Sequence, residues 1–235
     1  IRDCLLSRGL GDVYKRQTYP YGMVQFTPSY FSKRSGFVIN QLSGGGCEHM
    51  GNFPTFPVKG KLKMSPDNIL NYRINISEEK GHAGYYEAKV QEDIHAKLTV
   101  TERTGMASYE YPADQQYGTV IIGGGISATP IEQAAIVITA PNKCEGYAEG
   151  GNFCGLRTPY KVYFVAEFDT DALESGTWKR NELKPNTTFA EGEYSGVYFT
   201  FDVDKKKNVQ YKIGVSYVSV ENARENLKAE NTGWD

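Results

Sequence analysis

The chain has 235 residues, 40% of them hydrophobic, which allows a sizeable core in one large domain or two small ones. Lys and Arg number 26 against 28 Asp and Glu, and the resulting net charge of -2 argues against a general nucleic-acid or membrane-surface binder. No apolar run approaches the roughly 20 residues of a membrane-spanning helix, and no charged start followed by a hydrophobic segment marks a signal peptide.

Residues Ile1 to Gln17 show no strand alternation and differ in style from the rest of the chain, reading as a translated adapter or a misassembled read end. They are set aside as a non-native leader (1–17). The next stretch, Thr18 to Pro28, carries two prolines and a glycine among its aromatics. Phe26 is expected in the core, while Tyr21, beside Gly22, is a candidate for ligand contact. Gly36 to Pro57 then packs glycine, thiol, imidazole and carboxylate into one loop between strand-like segments.

From Tyr85 onward, short alternating runs are bounded by turn residues. Ile94, Ala96, Leu98 and Val100 fall on one face of a strand and His95, Lys97 and Thr99 on the other, as in a half-buried hairpin. Ala107 to Tyr111, Thr119 to Ile122 and Ala135 to Thr139 continue the pattern, and Gly123-Gly124-Gly125 is expected to be a flexible break. Lys161 to Phe168 and Gly196 to Val203 are apolar at nearly every position, as for strands covered on both faces. Lys205-Lys206-Lys207 reads as a solvated hairpin turn. Val209, Tyr211, Ile213, Val215 and Tyr217 then point one way.

At Ser219 the character changes: a serine suited to N-capping precedes a short polar helix with Ala223 and Leu227 on one face. The fold class is therefore all-β, a large antiparallel β-sandwich (18–218) of about a dozen strands with a short C-terminal linker helix (219–235).

The loop chemistry has several readings. Three consecutive glycines, Gly44 to Gly46, relax the backbone where a partner must come close. No Lys-Ser or Lys-Thr follows them, so they do not make a phosphate-binding loop. A Cys47 nucleophile with His49 as base would need two side chains two residues apart in an irregular loop to converge, and a packed or substrate-lining thiol is the plainer reading. His49, His82 and His95 are scattered, which argues for solvated or locally bonded imidazoles over metal ligands. Glu167 with Asp169, and Glu191 with Glu193, read as solvated strand faces. The four cysteines form no CxxC. Cys144 and Cys154 are compatible with a bonded pair in an oxidising compartment or with two free thiols.

Taken together, TYPYGMVQFTP (Thr18 to Pro28), GFVINQLSGGGCEHMGNFPTFP (Gly36 to Pro57), Gly84 to Arg103, KVYFVAEFD (Lys161 to Asp169) and VSYVSVENARENL (Val215 to Leu227) resemble the N-terminal domain of glycoside hydrolase family 92, bacterial exo-acting α-mannosidases. The resemblance implies a β-sandwich packed on a missing C-terminal (α/α)6 domain, with an inverting acid and base that both belong to that domain. It implies a mannose-containing glycan as substrate, with α-1,2 the working assignment of linkage, and a calcium ion whose ligands lie mainly outside this chain.

By the same resemblance, the sugar-pocket residues are Gln41, Gly45, Gly46, Cys47, Glu48 and His49, with Asn52 behind them; Tyr21 joins them from the reading of the residues. Many relatives carry histidine where Gln41 stands, and glutamine bonds but does not titrate. A periplasmic or cell-surface location in a bacterium, no nucleic-acid partner, and inactivity of these residues alone complete the expectation. A free-standing carbohydrate-binding module is the alternative, and a purely structural sandwich leaves the loop unexplained.

Overall fold

The computed structural model describes residues 17–18, 22–28, 36–41, 49–69, 75–82 and 84–234. Its architecture is two antiparallel sheets face to face, as expected of the alternating strands. The chain starts in the first sheet with β1 (Gln17–Thr18), β2 (Gln25–Pro28), β3 (Phe37–Val38) and β4 (Thr55–Lys59), followed by the short helix α1 (Pro66–Ile69). It crosses to the second sheet for β5 (Ile76–His82), β6 (Tyr85–Val90), β7 (Ile94–Val100) and β8 (Thr104–Glu110), and returns with β9 (Tyr117–Gly123).

The second sheet then takes β10 (Ile131–Ala140), β11 (Lys143–Gly150) and β12 (Tyr160–Phe168), and the first takes β13 (Glu174–Lys179) and β14 (Glu182–Pro185). Last come β15 (Phe189–Glu191), β16 (Ser195–Asp202), β17 (Asn208–Ser216) and the helix α2 (Val220–Glu230). The first sheet runs β1-β2-β3-β4-β9-β16-β13-β14, and the second runs β15-β10-β11-β12-β17-β8-β7-β6-β5. Because the chain changes sheet repeatedly, neither sheet is a separate unit, and one apolar core joins them.

The core follows the period-2 pattern. Ile94, Ala96, Leu98 and Val100 are buried while His95, Lys97 and Thr99 face solvent. Phe26 is fully buried, with its ring edge-on to Tyr211 at 5.9 Å. Phe168 packs against Phe199 and Phe201 at 4.8 and 5.0 Å between ring centres. β16 is buried on both faces from Ser195 to Phe201, because Trp178, Ile121 and Tyr198 form a second small core behind it.

Four local readings change. β12 is covered on both faces only around Val165; Lys161 and Tyr163 are half-buried on its outer side, with Lys161 over the Tyr147 ring at 4.1 Å. The triple glycine is a close-packed joint: a Cβ on Gly124 would lie 2.9 Å from Ile136 Cβ, and one on Gly125 would run into the Gly192 carbonyl. The basic run does form the β16–β17 turn, but Lys206 pairs with Asp169, whose side chain is only 3% exposed and also accepts from Gln210 N at 3.2 Å. Asp169 is thus a buried turn anchor, since it ties the end of β12 to β17.

α2 docks on the outer face of the second sheet. Ser219 caps it by accepting from Asn222 N at 3.1 Å. Ala223 and Leu227 are buried on Val165, and Gly214 permits the close approach because a Cβ there would sit 2.5 Å from Ala223 O. Asn226 donates to Val215 O at 2.8 Å. At the far end, Glu230 accepts from Thr101 Oγ1 and Arg103 N and pairs with the Arg103 guanidinium. A polar helix is held here by two apolar contacts and its hydrogen-bonded ends.

Candidate functional site

The connection between β3 and β4 is closed by its own ends. Asn52 N donates to Asn40 Oδ1 at 2.7 Å, Gly51 N to Asn40 O, and Ile39 N to Asn52 O at 3.4 Å, while Gln41 and Met50 form an isolated antiparallel bridge. Residues 42–48 are therefore spanned by a zipped base. That base requires unusual backbone: Met50, Gly51 and Phe53 all have positive φ, of 60, 77 and 52°. Two of the three are not glycine, and such conformations persist only where the surroundings hold them. Phe53 supplies part of that hold, since it is fully buried and its ring lies 4.2 Å from that of Phe164.

Against this base stand side chains from distant parts of the chain. Tyr160, which opens β12, donates its hydroxyl to Asn52 Oδ1 at 2.8 Å and also bonds to Ser127. Tyr217, after β17, receives a hydrogen bond from Asn40 Nδ2 at 3.3 Å. Ala128 N donates to Met50 O at 2.7 Å, linking the β9–β10 connection to the same base. The His49 ring sits edge-on between Phe153 and Tyr160, at 5.3 and 5.5 Å.

Burial here outruns pairing. Asn52 is fully buried and His49 only 5% exposed, yet Asn52 Nδ2 and His49 Nδ1 have no hydrogen-bond partner among the described residues. Each such group costs about 1–3 kcal/mol unless something satisfies it. Desolvation pushes the Tyr160 phenol up to about 12, the bonds to Asn52 and Ser127 offsetting part of the rise. Tyr217 is raised for the same first reason. Both phenols stay protonated donors at ordinary pH.

The arrangement offers amide, imidazole and phenol groups, and no carboxylate bonds to any of them among the described residues. It can hydrogen-bond a neutral polyhydroxylated molecule between aromatic rings, and its described residues include no carboxylic acid. A cation is poorly served: among the described residues no group of three or more His, Cys, Asp or Glu could hold a metal. The Asn52 amide oxygen is already taken by Tyr160. The calcium implied by the resemblance therefore does not fit these residues.

Of the site residues read from the sequence, Gln41, His49 and Asn52 come together at this end of the sandwich. Of the two expectations for His49, solvated or locally bonded, the first does not hold: it is buried because Phe153 and Tyr160 enclose it. Gly45, Gly46, Cys47, Glu48 and Tyr21 lie outside the described residues. His82 and His95 are exposed and far along β5 and β7. The sequence reading missed Asn40, Ser127, Phe153, Tyr160 and Tyr217. Asn40 adjoins Gln41 in the same motif and could have been found; the other four come from elements remote in sequence.

The cysteines also resolve. Cys144 is buried and free, and burial raises its thiol far above the ordinary range, whereas Cys154 is disulfide-bonded. They are not bonded to each other.

The glycosyl hydrolase family 92 N-terminal domain matches residues 6–216, taking in part of the segment that the sequence reading set aside. An uncharacterized secreted glycosidase of Arthroderma benhamiae is 24% identical over 264 residues, covering 96% of this chain and 34% of its own length. A family GH92 α-mannosidase from Bacteroides thetaiotaomicron superposes with a TM-score of 0.80 at 23% identity, covering 94% of this chain and 33% of that one. A GH92 inverting mannosidase from Bacteroides thetaiotaomicron VPI-5482 gives 0.74 at 20% identity, over 94% and 31%. The chain thus spans about a third of the length of these relatives. With the match running through both sheets and the β3–β4 connection, the chain belongs to glycosyl hydrolase family 92, as its N-terminal domain.

Proposed function

We propose that this sandwich contributes one wall of the sugar pocket of an inverting, calcium-dependent α-mannosidase acting on mannose-containing glycans, with α-1,2 linkages as the working assignment. The observation that carries this reading is the pair of buried, unpaired groups, Asn52 Nδ2 and His49 Nδ1, set beside the Tyr160 and Phe153 rings. A mannose ring presents hydroxyls to such groups and C–H faces to such rings. Gln41, Gly45, Gly46, Cys47, Glu48 and Tyr21 complete the proposed wall.

In an inverting glycosidase one carboxylic acid protonates the leaving oxygen and a carboxylate activates water across the ring, the two about 6.5–9.5 Å apart. We assign both, and the calcium ligands, to a second (α/α)6 domain of the complete protein. The relatives' threefold greater length supports that division, as does the lack of carboxylates bonded to Asn52 or His49 among the described residues. The wall described here would bind and orient the sugar, and Tyr160 would keep Asn52 turned by holding its amide oxygen. A bonded Cys154 and a secreted relative support an extracytoplasmic location, periplasmic or at the cell surface.

The test is hydrolysis of α-linked mannobioses. The complete protein should release mannose with inversion and lose activity on chelation, and these 235 residues alone should release none. In the complete protein, Asn52→Ala should raise KM at least tenfold. Turnover by the chain alone, or an unchanged KM in that variant, removes the wall from the site.

A further inference from the structure

We infer that Lys212 is a positioning residue: it anchors the segment after α2 to the outer face of the second sheet, making residues 219–234 a rigid bracket and not a flexible linker. The pleat of β17 puts Gln210, Lys212, Gly214 and Ser216 on that outer face, opposite the core side chains Tyr211, Ile213 and Val215. A lysine in such a place ordinarily keeps its ammonium in water. Lys212 is instead only 8% exposed, because the chain beyond the helix lies across it. Its ammonium donates to Asn231 O at 3.1 Å and sits 4.4 Å from the centre of the Trp234 ring. On the same strand face, Gln210 Nε2 donates to Trp234 O at 3.0 Å.

The choice of partners separates an anchor from an ordinary surface lysine. A buried ammonium is costly unless charge or acceptors meet it. Glu167 stands opposite Lys212 on β12, but Lys143 engages it at 3.4 Å, and Lys212 forms no ion pair among the described residues. Its charge is met by the carbonyl that ends α2 and by an aromatic face, both of which carry partial negative charge. A counter-charge for the helix end would stop at Asn231, and Lys228 already stands in the last turn. The contacts to Trp234 reach past the helix and serve no such purpose.

Those contacts continue a row of attachments along the whole segment: Arg224 to Glu145 at 2.7 Å, Asn226 to Val215 O at 2.8 Å, and Glu230 to Arg103. Gln210 is itself held, since its N–H donates to the buried Asp169 carboxylate at 3.2 Å. The strand that carries Lys212 also leads to Tyr217, which meets Asn40 at the candidate wall. Bracket and wall are thus built on one strand. In the complete protein this would present the second domain to the Asn52 wall in a single orientation. That consequence rests on the sugar-pocket reading; the anchoring does not.

Acrylamide quenching tests the anchor directly. The chain has two tryptophans, and Trp178 is fully buried in its own apolar cluster, so the accessible emission belongs to Trp234. Lys212→Met keeps the apolar stem and removes the ammonium, and should raise the quenching constant of that emission by about twofold or more. Trp178 should stay shielded, which shows the sheets intact. Lys212→Arg keeps the charge and stacks on aromatic faces, so it should restore most of the protection. Gln210→Met should loosen Trp234 as well without touching the buried charge. No rise in either methionine variant, or equal rises in Lys212→Met and Lys212→Arg, overturns the anchor.

In the complete protein, assayed on an α-linked mannobiose, Lys212→Met should lower kcat/KM by about fivefold or more through lost orientation. It should cost less in an Asn52→Ala background than alone, since a wall already weakened has less orientation to lose. Full additivity of the two overturns the positioning role. A freed Trp234 in a protein that cleaves no mannoside would sink the sugar-pocket reading and leave the anchor standing.

Discussion

The interior of the sandwich around Phe168 and the end around Asn52 are both buried, but they treat polar groups differently. In the interior, Tyr211 donates to Thr55 at 2.8 Å, Tyr111 to Thr119 O at 3.0 Å, and the Thr119 and Thr200 hydroxyls meet at 2.9 Å. At the Asn52 end, two buried nitrogens have no partner among the described residues, and the backbone beneath them is held at positive φ in Met50 and Phe53. Tyr109 Oη, Thr129 Oγ1 and Trp178 Nε1 are unpaired too, but Tyr109 and Trp178 each stand within an apolar cluster of the core. What separates the Asn52 end is coincidence: unpaired donors, strained backbone and converging aromatic rings in one place. Under the proposed sugar-binding role, a ligand would satisfy the nitrogens and stack on the rings.

The largest expected effect is in the interior. Phe168→Ala should destabilise by about 3–5 kcal/mol in urea titration, since the ring is fully buried among Phe199, Phe201 and Tyr211. A loss under about 1 kcal/mol would mean the two sheets are not joined there. Tyr211→Phe should cost about 1–2 kcal/mol, because it leaves the Thr55 hydroxyl without its buried donor.

His49→Phe sharpens the contrast. It removes an unpaired buried nitrogen and keeps the contacts with Phe153 and Tyr160, so stability should change by less than about 1 kcal/mol in either direction. Sugar affinity in the complete protein should nonetheless fall severalfold. Equal loss of stability and affinity would make His49 a packing residue.

The smallest effect concerns the helix α2. Burial opposes ionisation of Glu230, but the bonds from Thr101 and Arg103 outweigh it and hold its carboxyl below the ordinary 4.5. Its contribution is therefore present above pH 4.5 and lost as pH falls through the lower folded value. Glu230→Gln should flatten that part of the acid limb of stability measured by urea titration, leaving the difference between the two proteins smaller below it than at neutral pH. An unchanged acid limb would detach Glu230 from the docking of α2.

Much of the fold is legible in the residues taken singly. Alternation in Ile94 to Val100 and in Val209 to Val215 reports which side chains face inward, because one face of each strand must be buried and the pleat has period two. Ser219 announces α2, since a helix start leaves N–H groups that a serine hydroxyl can take. The family motifs in the β3–β4 connection likewise point to Gln41, His49 and Asn52 as residues of the proposed wall.

The tertiary structure decided the rest. Glycines at 123–125 look like a hinge in sequence and are a joint in space, because only the neighbouring Ile136 and Gly192 say how little room there is. α2 looks too polar to pack, and two residues suffice once Gly214 lets it close on Val165. The partners of Asn40, His49 and Asn52 come from β12 and from the segments after β9, β11 and β17, as much as 177 residues away. Local pattern carries the strand faces because those depend on near neighbours; hydrogen-bond satisfaction depends on which distant strands become adjacent, and only the folded sheets determine that.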